Sequence, residues 1–246
     1  MASPAQRPTR FQIFGERCSG TNYVSELLRR NLRRMRPTDE FGWKHGWPAR
    51  DLSGASDCLF VVVHRDPFDW VRSLHAKPWH AAATLRGRPI GEFLHEPWWC
   101  VWGADMELDS GDPRRGQEML HERDPVTRER FANVMRLRSA KLRAWLSLRD
   151  TVPHLHLLAY ENAAREGFDV VREIAARFDL RRWPWYRPIQ TDKGGPNRFV
   201  PREHAPLSSA DLRWIAEELD SDLEASLGRD MTARVRELEA IAALRV

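Results

Sequence analysis

Phe11-Gln12-Ile13-Phe14-Gly15-Glu16-Arg17-Cys18-Ser19-Gly20-Thr21-Asn22-Tyr23-Val24 decides the fold. FQIF at 11–14 is a short apolar run stopped by Gly15, readable as a buried strand. A polar, glycine-containing turn, GERCSGTN, follows it. Then Tyr23, Val24, Leu27, Leu28, Leu32 and Met35 recur every three or four positions, which predicts an amphipathic helix over 21–35. CLFVVVH at 58–64 is a second strand, β-branched and continuously apolar, as a strand covered on both faces is. Asp66-Pro67 ends it, and a helix can run from Phe68 to His75. HLHLLAY at 154–160 reads as another strand, Phe168 to Phe178 as a helix, and 126–149 as a long helix carrying Val134, Leu137, Leu142, Trp145 and Leu148. Residues 191–206 form a Gly/Pro loop and 208–244 read as mostly helix. Strand–helix alternation predicts an α/β fold, a central parallel sheet flanked by helices.

A chain of 246 residues holds one large domain or two small ones. A single domain over 1–246 is expected, because the irregular stretch 77–125 lacks its own strand set and reads as an insertion. That stretch is rich in tryptophan, with Trp79, Trp98, Trp99 and Trp102. These rings could line an aromatic acceptor pocket or serve as packing. Residues 1–9 read as a loose N-terminal arm. A composition of 42% hydrophobic and 30% charged residues excludes a disordered or low-complexity chain. Mean hydropathy is −0.59, and the longest apolar run, CLFVVV, falls well short of the ~18 residues that span a bilayer. MASPAQRPTR lacks the apolar region of a signal peptide, so a cytoplasmic protein with no membrane span is expected. Cys18, Cys58 and Cys100 are scattered, with no CxxC pair, which excludes a disulfide framework and a cysteine zinc cluster; no metal is expected. The net charge is only +4, and no nucleic-acid module signature is present, so no nucleic-acid partner is expected. Lysine supplies four of the 39 cations, Lys44, Lys77, Lys141 and Lys193. A GC-rich genome gives such an arginine bias, and so does an anionic ligand, whose phosphate or sulfate the guanidinium fork suits.

Three segments can carry chemistry. In the first, Gly15 and Gly20 let the backbone turn tightly, and the amides of 18–22 point outward at a helix N-terminus, where the macrodipole favours an anion. Ser19, Thr21 and Asn22 add donors and Arg17 adds a cation. The glycine spacing mimics a Walker A loop, but Thr-Asn stands where Lys-Ser/Thr belongs. The alternative is a plain strand-to-helix turn capped by Ser or Thr. In the second segment, His64-Arg65-Asp66-Pro67-Phe68-Asp69-Trp70-Val71-Arg72-Ser73, a strand-end arginine and a first-helix serine eight residues apart could converge on one phosphate. The alternative pairs Arg65 with Asp66 or Asp69. The third is Gly42-Trp43-Lys44-His45-Gly46-Trp47-Pro48, where a histidine suits base work near neutral pH and a lysine stabilises growing negative charge. Its alternative is a tight loop with a surface histidine.

GERCSGTNY resembles the 5′-phosphosulfate loop of the PAPS-dependent sulfotransferases, and HRDPFDWVRS resembles their 3′-phosphate segment. LLAYENA at 157–163 is similar to the family's Tyr-Glu-Asp strand end, with Asn162 in place of Asp. GWKHGWP resembles the family's Lys-Thr-His-Leu-Pro segment, with Lys and Pro in register and His one place forward. The matching blocks run from about residue 11 to 163 in the family's order. The resemblance implies a P-loop-like sulfotransferase fold, 3′-phosphoadenosine-5′-phosphosulfate (PAPS) as sulfuryl donor, PAP as product, and a small-molecule acceptor that is aromatic, a sugar or lipid-linked. It implies that Arg17, Cys18, Ser19, Gly20, Thr21 and Asn22 hold the phosphosulfate, and that Arg65 and Ser73 hold the 3′-phosphate. Tyr23 falls at an adenine-stacking position and Tyr160 at an adenine-side one. The family has Lys or Arg directly before the loop serine; here that residue is Cys18, with Arg17 one earlier. Asp192-Lys193-Gly194-Gly195-Pro196-Asn197-Arg198 loosely echoes the C-terminal Arg-Lys-Gly-x-x-Gly, so Lys193, Gly194 and Arg198 are candidates for closing on the 3′-phosphate. His45 is the implied base, with Arg17 and Lys44 as charge stabilisers and Glu16 or His80 as alternative bases. Two other functions stay open: a P-loop-like ATP-dependent kinase or phosphotransferase, and a degenerate, non-catalytic nucleotide-binding member.

Overall fold

The computed structural model describes residues 6–103, 106, 108–190 and 204–244. They fall into two compact units, one within residues 1–67 and 144–203 and the other within 68–143 and 204–246. The first unit carries a four-stranded, all-parallel sheet: β1 (Arg10–Gly15), β2 (Arg36–Thr38), β3 (Cys58–His64) and β4 (Leu155–Ala159), in the order β2-β1-β3-β4. The α/β class and the parallel sheet flanked by helices are as the sequence predicts. β1 and β3 are central and buried on both faces, which is why β3 is a continuous apolar run and β1 is apolar but for Gln12. On one face Phe11, Ile13, Leu59, Val61 and Val63 pack against Val24, Leu27 and Leu28 of α1 (Thr21–Asn31). The same core holds Ala163 of α5 (Tyr160–Arg165) and Val171 and Ile174 of α6 (Gly167–Arg177). On the other face Phe14 stacks between Phe60 and Trp145, and Phe41 tilts onto Phe60.

Register aligns the strand ends: Gly15 pairs with Val63, and His64 with Ala159. The loops after β1, β3 and β4 therefore open on one edge, the carboxyl edge at which parallel sheets bind ligands.

Several elements depart from the sequence reading. β2 was not expected; Arg-Pro-Thr is polar, and its proline is tolerated because the strand lies at the sheet edge. α1 stops at Asn31, four residues early, as Leu32 turns extended towards β2. The helix expected over 126–149 is α4, Val134–Leu146, which starts late because the Asn133 side chain accepts the N–H groups of Met135 and Arg136. Residues 6–9, expected in a loose arm, are held at the sheet: the N–H groups of Gln6 and Thr9 donate to Ser56 O and Asp57 O.

The second unit contains α2 (Pro67–Ala76) from Phe68 onward, α3 (Ile90–His95) and most of α4. The chain over 208–244 gives it three helices, α7 (Ser209–Glu218), α8 (Ser221–Ser226) and α9 (Met231–Ala243). Its core holds Trp70, Phe93, Trp98, Met135 and Ile215. Two buried ion pairs lie in it, Arg138–Glu224 at 2.9 Å and Lys141–Glu122 at 2.8 Å. The irregular stretch 77–125 is held here by isolated bridges such as Ala81–Cys100 and Trp98–Phe131.

Candidate functional site

The loop between β1 and α1 is braced from within. Ser19 is fully buried; its N–H and its Oγ both donate to Glu16 O, at 3.1 and 2.7 Å. Its hydroxyl proton is thus spent on the loop, a bracing role beside the ligand role expected for it. Cys18 turns left-handed at φ 63°, and its carbonyl accepts Arg65 Nη1 at 3.1 Å. Gly20 caps α1 at φ 91°, with no side chain satisfying the first-turn N–H groups and no acidic residue in that turn. An uncapped, acid-free helix start is an electropositive concavity.

Gly20 has a second constraint. A Cβ added there would lie 2.1 Å from Tyr160 Cδ2, so the Tyr160 ring sits directly on the glycine. The same ring has the Arg65 guanidinium 5.1 Å from its centroid and packs edge-on against Tyr23 at 6.2 Å. Glu161 Oε1 accepts the Asp66 N–H at 2.8 Å, which ties the end of β3 to that of β4. Burial pushes the Tyr23 hydroxyl up to about 12, with Tyr186 and Tyr160 adding to it, and raises Tyr160 as well. Both phenols are therefore neutral at neutral pH.

Lys44 and His45 meet the loop from the segment after β2. Gly15 N–H donates to Lys44 O at 3.0 Å, and Lys44 Nζ donates to Asn22 Oδ1 at 2.5 Å. His45 is buried, with Nδ1 2.7 Å from Gly15 O. A carbonyl only accepts, so Nδ1 carries the hydrogen, and neutral His45 has its lone pair on Nε2. Trp43 braces the set: the Arg17 guanidinium lies 4.8 Å from its ring, His45 packs edge-on at 5.3 Å, and Trp145 Nε1 donates to Gly46 O at 2.9 Å. Sequence reasoning assigned Trp43 and Glu161 no role; a tryptophan between glycine and lysine on a glycine-bounded loop was the available signal for the first.

Beside this cluster a pocket of about 320 Å³ is lined by Thr21, Asn22, Ser25, Thr38, Trp43 and Lys44, among others.

Arg17, Cys18, Ser19, Gly20, Thr21, Asn22, Tyr23, Lys44, His45, Arg65 and Tyr160 all belong to the first unit and gather at the sheet edge. Ser73 does not join them in that unit; it is on α2 in the second, with Oγ 3.2 Å from His204 Nε2. Lys193, Gly194 and Arg198 lie outside the described residues. His80, the alternative base, also belongs to the second unit, as do the four tryptophans of 77–125. Trp98 is core, while Trp99 and Trp102 carry the guanidiniums of Arg130 and Arg114 at 4.0 and 4.8 Å. Among the described residues no group of His, Cys, Asp or Glu is placed to hold a metal ion, and no helix is long and apolar enough to cross a membrane. No family model matches the chain, and no curated protein is detectably similar to it.

Proposed function

We propose that the protein is a sulfotransferase of P-loop-like fold that moves the sulfuryl group of PAPS to a hydroxyl or amine of a small-molecule acceptor. The observation that supports this reading best is one cluster: the uncapped, acid-free start of α1 with Arg17, Lys44 and Arg65 around it, on the carboxyl edge of a parallel sheet. A doubly charged phosphosulfate suits that donor set. PAPS would supply the activated sulfuryl group. The amides of Thr21 and Asn22 would hold the phosphosulfate, with Lys44 beside it. Arg65, fixed between Cys18 O and the Tyr160 ring, would read the 3′-phosphate, and Tyr23 and Tyr160 would flank the adenine. Lys44 and Arg17 stabilise negative charge as it grows on the oxygens of the transferred and leaving groups. His45 Nε2 would take the acceptor's proton, since Nδ1–H is committed to Gly15 O. The pocket by Trp43 and Lys44 offers the acceptor an aromatic wall and hydroxyl and amide partners.

Thermal melts with PAP, 5′-AMP and ATP, each with and without Mg²⁺, test the reading, because a ligand that binds the native state raises the melting temperature. PAP should stabilise most and without Mg²⁺. Arg65→Ala should weaken PAP by about ten- to a hundredfold, the worth of one charge-assisted phosphate contact, and leave 5′-AMP almost unmoved. Equal affinity for PAP and 5′-AMP overturns the donor assignment. Stabilisation by ATP with Mg²⁺ alone would replace it with phosphoryl transfer.

A further inference from the structure

A second basic surface of the first unit lies outside this site. Residues 181–187, Arg-Arg-Trp-Pro-Trp-Tyr-Arg, are pinned to the end of α1. Arg33 N–H donates to Arg181 O at 2.7 Å and Arg187 N–H to Asn31 Oδ1 at 2.7 Å, while Asn31 Nδ2 donates to Arg187 O at 3.0 Å. The strip is therefore fixed in the folded protein. Outward it forms a ladder of rings and guanidiniums. Arg33 and Arg187 each lie 4.9 Å from the Trp183 ring, Trp183 stacks on Trp185 at 6.0 Å, and Arg182 lies 5.7 Å from the Phe168 ring. Trp185 is 57% exposed and Phe168 42%, two of the few large apolar side chains left open to solvent. Arg33, Arg34, Arg181, Arg182 and Arg187 are all exposed, and none forms an ion pair among the described residues. Three of the four carboxylates on α6 and its flanks are engaged elsewhere, Glu166 with Arg165, Asp169 with Arg172 and Asp179 with Arg7; exposed Glu173 is a single negative charge against the five arginines. The surface is thus net positive, anchored to the end of α1 and studded with exposed aromatics.

We propose that this face docks the protein, reversibly, on a membrane surface carrying anionic phosphate headgroups. Guanidiniums chelate phosphate oxygens, and planar amphipathic rings settle at headgroup depth. Charge complementarity alone would also admit a nucleic acid, but the rings argue against it. A single-strand binder offers bare aromatic faces to bases; here the Trp183 ring already meets two guanidiniums and Trp185. Exposed Phe168 and Trp185 have no use against a duplex backbone, whereas an interface absorbs them. The attraction is electrostatic in large part and so falls with salt.

Co-sedimentation of the full chain with vesicles of phosphatidylcholine alone, and of phosphatidylcholine mixed with phosphatidylglycerol, tests this without reference to sulfuryl transfer. Binding to the mixed vesicles and not the neutral ones is expected, with loss at high salt. Arg182→Ser with Arg187→Ser should weaken it about thirtyfold. Trp185→Ser should weaken it severalfold, while Arg115→Ser with Arg149→Ser, exposed arginines off the strip, should not. Circular dichroism and the melting temperature establish that each variant is folded. No binding to mixed vesicles, equal binding to neutral ones, or indifference to the strip variants overturns the proposal. So does a single-stranded oligonucleotide that binds more tightly through the same arginines and displaces the vesicles.

Discussion

Gly20→Ala isolates the contact that ties the β1–α1 loop to the end of β4. Two costs are expected, and they have different origins. A Cβ at φ 91° meets the backbone strain of left-handed L-residues, about 1–2 kcal/mol. The same Cβ would lie 2.1 Å from Tyr160 Cδ2 and 2.6 Å from Cε2, so the ring has to move, an overpacking cost of about 1–3 kcal/mol. Together Gly20→Ala should destabilise by about 2–5 kcal/mol, read as a lower denaturant midpoint. In a Tyr160→Ala background only the backbone cost remains, so the same substitution should cost about 1–2 kcal/mol there. The displaced ring also takes with it the surface under Arg65, 5.1 Å away, so PAP affinity should fall with stability in Gly20→Ala. Equal costs of Gly20→Ala in the two backgrounds would refute the reasoning, since the ring would then not be what the glycine accommodates.

His45→Gln should remove the acidic limb of the pH–rate profile and slow transfer by about 10²–10⁴ with PAP affinity intact; an unchanged limb assigns the base to another residue. Glu224→Gln leaves buried Arg138 and half-buried Arg229 opposite a neutral amide and should cost about 3–5 kcal/mol in a denaturant titration. Arg123 and then Arg130 hold the Glu118 carboxyl down at about 2, below the ordinary glutamate value of about 4.3. A depressed folded pKa contributes stability above the unfolded value that is lost as pH falls towards the folded one. Glu118→Gln should therefore flatten the acid side of the stability curve between about pH 4.5 and 2, as melts at stepped pH will record.

What the sequence made legible follows from which constraints are local. β1 and β3 are buried on both faces, so they are mostly apolar and the runs announce themselves; buried Gln12 is tolerated because its amide pairs with Gly42 O and Phe41 N–H. β2 is three residues at the sheet edge, asked only to extend beside β1, and Arg-Pro-Thr carries no such imprint. The start of α4 was misread because an apolar period continues past a cap, and the deciding fact is that the Asn133 side chain turns onto Met135 and Arg136 N–H. The same division runs through the site. The loop could be found because a tight turn at a strand end needs glycine whatever surrounds it. The fixing of Arg65 between Cys18 O and Tyr160, and the tautomer of His45 set by Gly15 O, join residues 30 to 95 positions apart. Only the register that aligns Gly15, Val63 and Ala159 brings those partners together. Tryptophan shows the same division. The four in 77–125 read equally as a pocket wall or as packing, and Trp98 is core while Trp99 and Trp102 carry arginines; Trp43, in the loop after β2, stands between Arg17, His45 and the pocket. An aromatic ring records that a surface must be covered; which surface is decided by the strand order that sets the loop after β2 beside the start of α1.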